Sequence, residues 1–357
     1  MFQIALVAGG TQSPESNAEP GHVRLKPGTY MLSGSGGVSA PDGANPRSGQ
    51  IIFQVALRTP TSAADLELKR KAATARIEAL GGEVTPYDKT TVGINLWKTK
   101  ATDEDLEMIK CFSPVLIELT GTQITDAGLV HFQGMNRLSE LDLHATRITD
   151  AGLAHLGKLA GLARIGLSDT SVTSDGLQHL KPLKSLYMLS LNRTKITDAG
   201  LAHLSELPKI RTLIFDQTAI SDDGLAHLSN LKSLHDIRLG NTQVTDEGLE
   251  YLSKMSELRT VVLSGTRVTG SGLSHLPPSV KTLWLPSTQV DDDGLNQIAQ
   301  LTNLGSLVLS NTEITDKGLQ QLEKISSLRK LQVGGTKVTD AGVERLKAAI
   351  PECKVHR

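Results

Sequence analysis

The chain has 357 residues, 37 Lys+Arg against 38 Asp+Glu, and a formal net charge of −1. That balance excludes a protein built to wrap nucleic acid or to hold a membrane through a polybasic face, and aromatics at 3 % leave no run of base-stacking rings. Two cysteines exclude a disulfide scaffold, and no apolar run approaches the roughly 18 residues of a membrane span.

Residues 2–8 are mostly apolar, but no Lys or Arg precedes them, and seven residues is the lower limit for a secretory core. The default compartment is therefore the cytoplasm, with export open if the start is truncated. Residues 1–61 are rich in Gly, Pro and Ser. Such a composition buries little apolar surface and predicts a flexible segment. Two β-prone runs interrupt it, at residues 29–32 and 51–57. Ser62 and Asp65 then form a capping-box-like start. Leu66, Ala73, Ile77 and Leu80 fall on one face of a helix over 62–80, which Gly81 and Gly82 end. Strands follow around Val84 and Ile94. Residues 62–113 read as an N-terminal cap with a divergent first repeat, and 114–357 as a repeat array with its own C-terminal cap.

The repeat dominates. Gly128, Gly152, Gly176, Gly200, Gly224, Gly248, Gly272, Gly294, Gly318 and Gly342 are spaced by 24 residues, except for one interval of 22. A threonine stands six residues before each, from Thr122 to Thr336, and Thr99 and Asp105 mark a divergent eleventh unit. The unit reads L-x-x-L-x-L-x-x-T-x-I-T-D-x-G-L-x-x-L, as in Leu138, Leu141, Leu143, Thr146, Ile148, Leu153 and Leu156. Its L-x-L part has period 2 and predicts a short strand, and its G-L-x-x-L part predicts a short helix. Strand then helix at a fixed period gives an α/β solenoid: a right-handed horseshoe of about eleven units with parallel strands.

Each recurring residue has an expected task. About seven apolar side chains per unit point inward, each contributing on the order of 1.5–3 kcal/mol. The threonine column is expected to bond buried backbone and to form a ladder between units. The Thr-Asp pair caps the helix. Glycine near a helix start costs up to about 1 kcal/mol against alanine, so its recurrence implies no room for a Cβ and close packing of neighbouring turns. The unit with Pro277 and Pro278 lacks two residues, which predicts a shortened convex segment.

The I-T-D-x-G-L units resemble leucine-rich repeats of the ribonuclease-inhibitor-like class, over about residues 62–357. They are most similar to those of large bacterial repeat families and to the repeats of eukaryotic F-box proteins. The resemblance implies a binding solenoid. The F-box likeness implies, as an alternative, a substrate-recognition subunit of a ubiquitin-ligase-like or effector complex. Such a subunit would need a recruiting helix before residue 62.

Residue patterns with catalytic or metal-binding potential are each better explained by the repeat. His131, His155, His179, His203, His227 and His275 share one column, but neighbouring helices lie too far apart for a shared metal, so half-exposed packing with a backbone hydrogen bond is expected. Asp291, Asp292 and Asp293 replace the Thr-Asp start of one helix. Ser327 and Lys330 match S-x-x-K inside a strand consensus, and Asn192-Arg193-Thr194 matches a glycosylation sequon. Cys111 and Cys353 lie at opposite ends and are expected to be buried thiols. No cofactor, no metal site and no catalysis are expected.

The concave face remains. Its central column runs Asn95, Glu118, Asp142, Gly166, Ser190, Ile214, Arg238, Val262, Trp284, Val308 and Gln332. Strands about 4.8 Å apart put Ile214, Val262, Trp284 and Val308 in one strip interrupted by Arg238, beside the small residues Gly240, Ser264 and Ser310. With nothing large beside it, the strip is expected to be exposed and to bind a partner. Glu118, Glu140 and Asp142 make the N-terminal half acidic and suited to a basic region. The expected function is a non-catalytic scaffold, monomeric, that binds a protein or peptide on its concave face and binds neither nucleic acid nor a membrane.

Overall fold

The computed structural model describes residues 63–298 and 300–357, together with three short strands before them. The chain divides into two compact units, Met1–Lys69 and Arg70–Arg357. In the first, Ala5–Ala8 pairs antiparallel with Tyr30–Ser33, which pairs antiparallel with Phe53–Gln54. The latter two strands fall where the β-prone runs lie. The rest of the first 62 residues lies outside the described residues, including the expected flexible segment, the leader question and the place of a recruiting helix.

The second unit is built on one 13-stranded sheet. Eleven strands, from Val92–Asn95 to Lys330–Gln332, belong to the repeats and run parallel in the order of the sequence. Each pairs with the strand one repeat later, so Leu213 lies beside Ile237 and Ile237 beside Val261. The helix Ala63–Ala79 ends at Gly81, whose φ is +87°. Glu83–Pro86 then adds to the first edge antiparallel, with Val84 opposite Ile94. Lys354–His356 closes the other edge in parallel. Both edges of the repeat sheet thus carry an added strand.

The core lies between the strands and the short convex helices. In the unit from Leu138 to Leu156, every consensus aliphatic is at most 1 % exposed. The convex segments are single helices of four to ten residues, some α and some 3₁₀, because glycine and a tight return leave little length for more. Each column threonine donates its hydroxyl to the carbonyl three residues earlier, as Thr146 does to Leu143 at 2.6 Å, and all but Thr336 are buried. These bonds stay inside one unit. The expectation that this column forms a ladder between units is therefore corrected: Oγ is too short to leave its own turn once it bonds the strand-end carbonyl.

Aspartate forms that ladder. Asp150 accepts from the Thr173 amide at 2.8 Å and the Thr173 hydroxyl at 2.6 Å, 23 residues away. The same bonds join Asp103 to Thr125, Asp222 to Thr245 and Asp316 to Thr339. The consensus glycine makes room for it. A Cβ on Gly176 would overlap the Asp150 carboxylate, and one on Gly248 would overlap that of Asp222. The expected lack of space at the glycine column thus has a specific cause in the carboxylate of the preceding turn.

The ladder breaks at the short unit. Gly270 stands where the aspartate should be, with φ +117°, and Asp291 stands where the threonine should be. A Cβ on Gly270 would come within 2.5 Å of the Gly294 Cα. The convex segment there is a five-residue 3₁₀ helix, Ser271–His275, ended by Leu276 and Pro277. This helix is no shorter than Gly128–Phe132 or Asp198–Leu201 in units of full length, so the two missing residues do not come out of the helix itself.

Candidate functional site

The parallel register places the central column as the repeat phase requires. Glu118 pairs with Asp142, Asp142 with Gly166, Ser190 with Ile214, Arg238 with Val262, and Trp284 with Val308. The proposed apolar strip is aligned, but it is not open surface. Ile214 is 8 %, Val262 6 % and Val308 8 % exposed, whereas Trp284 is 39 % exposed. The expectation that nothing large shields the strip is corrected. Each of the three stands next to a long side chain on a neighbouring strand: Ile214 beside Arg238, Val262 between Arg238 and Trp284, and Val308 beside Trp284. Arg238 is half-exposed and pairs with Asp236 at 3.3 Å on the same strand.

Toward the N-terminal end the sheet opens into a pocket of about 320 Å³. Gly166 forms its floor, one residue of a column that otherwise carries side chains. The Asp142 carboxylate lies flat over that glycine, with both oxygens within 2.8 Å of where a Cβ would stand. Asp142 Oδ1 accepts from the Thr120 hydroxyl at 3.2 Å and the His144 amide at 3.0 Å. Its Oδ2 has Arg164 Nη2 at 3.8 Å, beyond hydrogen-bond reach. Ser168 and Ser190 share a hydrogen bond of 2.7 Å, and Met188 and Ile214 supply an apolar wall.

A ring of charge surrounds the pocket. Glu140 holds Arg164 at 3.5 Å. Glu118 is half-buried and accepts from the Thr120 amide at 2.8 Å. His144 Nε2 lies 3.0 Å from Asp169 Oδ2. Arg193 forks onto Asp169, and this bond, with the charges of Arg193 and His144, holds the Asp169 carboxyl below the usual range. Of the three predicted acids only Asp142 lines the cavity, which the sequence reading did not foresee; Glu140 and Glu118 stand behind its lining residues Arg164 and Thr120. Gly166 was the available signal, because a lone glycine in a strand often marks close approach.

Trp97, at 54 %, is more exposed than Trp284, and the Lys98 ammonium lies 4.5 Å from its ring centroid. It belongs to the column of Thr120 and His144 on the acidic end of the sheet.

The other candidates keep to the repeat. Among the described residues no cluster of His, Cys, Asp or Glu is arranged to hold a metal. His227 and His275 are exposed, and the other four column histidines are half-buried. The Nδ1 atoms of His131 and His155 are enclosed without a hydrogen-bond partner, so the expected backbone bond does not form there. Asp291 caps its helix through the Asp293 and Gly294 amides at 3.1 Å, while Asp292 joins the ladder to Thr315. Ser327 donates to the Leu304 carbonyl, and Asn192 accepts from the Asp216 amide. Cys353 is buried, but Cys111 is only half-buried.

A family model for the leucine-rich repeat matches residues 230–253, 300–322 and 324–347. The chain carries leucine-rich repeats. The matched segments each span one strand–helix turn. The repeat fold has solved counterparts. An internalin, inlF, from Listeria monocytogenes superposes with a TM-score of 0.57 at 18 % identity, covering 82 % of this chain and 94 % of that one. Internalin C2 of the same organism is similar at 25 % identity over 58 % of this chain and 83 % of its own, with a TM-score of 0.45. No curated protein matches the chain. No helix among the described residues is long and apolar enough to cross a membrane.

Proposed function

We propose that this leucine-rich repeat protein is a non-catalytic scaffold that binds a protein or peptide partner on its concave face. One observation carries the reading. Eleven parallel repeat strands in one 13-stranded sheet hold their outward side chains in columns, in unbroken register from Leu116–Glu118 to Lys330–Gln332, so a broad contact surface exists before any partner arrives. Two half-exposed tryptophans stand on it, Trp97 and Trp284, and tryptophan commonly anchors protein interfaces. The solenoid likeness of the internalin adds support at the level of fold.

The test is affinity capture from a native lysate with the parent chain and with the Trp97→Asp/Trp284→Asp variant. Both residues are exposed, so the variant should keep its unfolding midpoint. A protein captured by the parent and lost with the variant supports the reading. The same proteins captured by both would contradict it.

A further inference from the structure

The Gly166 pocket presents an uneven set of groups. Asp142 Oδ2 is an acceptor with no donor within hydrogen-bond reach. The serine pair uses one hydroxyl proton internally and the Ser168 oxygen also takes the Asn192 amide at 3.1 Å, so the pair keeps one O–H donor and lone pairs for a ligand, and the acceptor excess of the site rests on Asp142. Arg164 already faces Glu140, and Arg193 is committed to Asp169. Glu118, Glu140, Asp142 and Asp169 stand against Arg164 and Arg193, with His144 beside Asp169, so negative charge is in excess whether or not the imidazole is protonated. Above the floor, Met188 and Ile214 give an apolar wall.

A ligand suited to this arrangement has a cationic head rich in donors and an apolar stem. An anion would meet the Asp142 carboxylate across the floor. A purely apolar group would strand that carboxylate without water or partner. Arginine and lysine side chains combine a charged head with a methylene stem that packs on apolar surface.

We propose that the Gly166 pocket receives an arginine or lysine side chain carried by a protein partner. This rests on the concave-face reading above and names the chemistry of its partner. The head lies on Asp142 Oδ2 and the serine pair, and the stem lies against Met188 and Ile214. Glu118, Glu140 and Asp169 attract the basic segment before contact.

The full chain, labelled at its Met and Ile methyls, is titrated with N-acetyl-arginine amide, N-acetyl-glutamate amide, spermidine and the peptide acetyl-Gly-Gly-Arg-Gly-Gly-amide. The Met188 and Ile214 methyl signals should move saturably with the arginine amide and the peptide and stay still with the glutamate amide. Added salt should weaken the response. Asp142→Asn should weaken the arginine response roughly fivefold, the scale of a half-exposed ion pair. Gly166→Leu should abolish it by filling the floor, where the atoms nearest a Cβ all belong to the Asp142 side chain. Unchanged methyl dispersion elsewhere would show that both variants fold. An equal response to glutamate, no response to arginine, or a full arginine response in both variants would overturn the proposal. Tighter binding of spermidine than of the peptide would overturn the assignment to a protein-borne side chain. If arginine binds the pocket while partner capture ignores the concave tryptophans, the pocket stands and the scaffold reading fails.

Discussion

The carboxylate of Asp150 fills the space that a Cβ on Gly176 would need. The same carboxylate accepts two hydrogen bonds from Thr173. Glycine, aspartate and threonine in the consensus are therefore one device for joining successive turns.

That coupling predicts a double-mutant result. Asp150→Ala should destabilise the protein by about 1–3 kcal/mol, because it strands the Thr173 amide and hydroxyl. Gly176→Ala should destabilise it by a similar amount through overlap. In the Asp150→Ala background the glycine substitution should cost much less, since the overlapping group is gone. Urea unfolding of the four proteins measures the coupling. Strict additivity would show that the carboxylate does not limit the glycine column.

The threonine column acts within its turn. Thr194 donates to the Leu191 carbonyl at 2.6 Å and is 8 % exposed. Thr194→Val keeps the shape and removes the donor. It should destabilise by about 1–2 kcal/mol in urea titrations, while Thr194→Ser should cost less than Thr194→Val.

The ladder should also show in the pH dependence. Burial tends to raise the Asp246 carboxyl, but the amides of Thr269, Gly270 and Gly272 and the Thr269 hydroxyl outweigh it and hold the group below 3.8. The Thr339 hydroxyl and amide lower Asp316 in the same way. A carboxyl lowered by folding contributes stability that is complete above its unfolded value and lost as pH falls through the folded value. The thermal midpoint should therefore drop in acid below about pH 4, and Asp246→Asn should flatten that drop. Asp216 behaves oppositely. Burial raises it despite the Gly240 amide, so its ionisation opposes folding as pH rises through the folded value. Asp216→Asn keeps an acceptor for that amide and should raise the midpoint at neutral pH.

At the broken rung, Gly270 takes a φ of +117° and has no carboxylate to offer the next turn. Amide hydrogen exchange around residues 270–294 should be faster than around residues 222–248, where the ladder is intact. Equal protection in the two segments would contradict the role given to the aspartates.

Much of this fold was legible because the period of 24 acts as an address. One glycine phase fixed every strand, and with it the neighbours of Asp142 and Trp284. The aspartate ladder was less legible because its partner lies 23 residues on, while the capping role within its own turn gives a sufficient local reason for Thr-Asp. Burial along the strip was hidden for a related reason. Ile214 and Val262 are neighbours of Arg238 only across strands, and covering by a long neighbour depends on how side chains lie, which spacing does not state. The Gly166 pocket depends on one missing side chain beneath one carboxylate, and composition averages that away.

The central claim concerns which face of the solenoid meets a partner. Photo-crosslinking tests it most directly, with a benzoylphenylalanine placed in turn at Trp97, at Trp284 and at Tyr251. The two tryptophans stand on the concave columns, and Tyr251, also partly exposed, lies on the convex helix Glu247–Lys254. Irradiation in a native lysate should give one shared adduct from positions 97 and 284 and none from position 251. An adduct from position 251 alone would place the partner on the convex side and contradict the account.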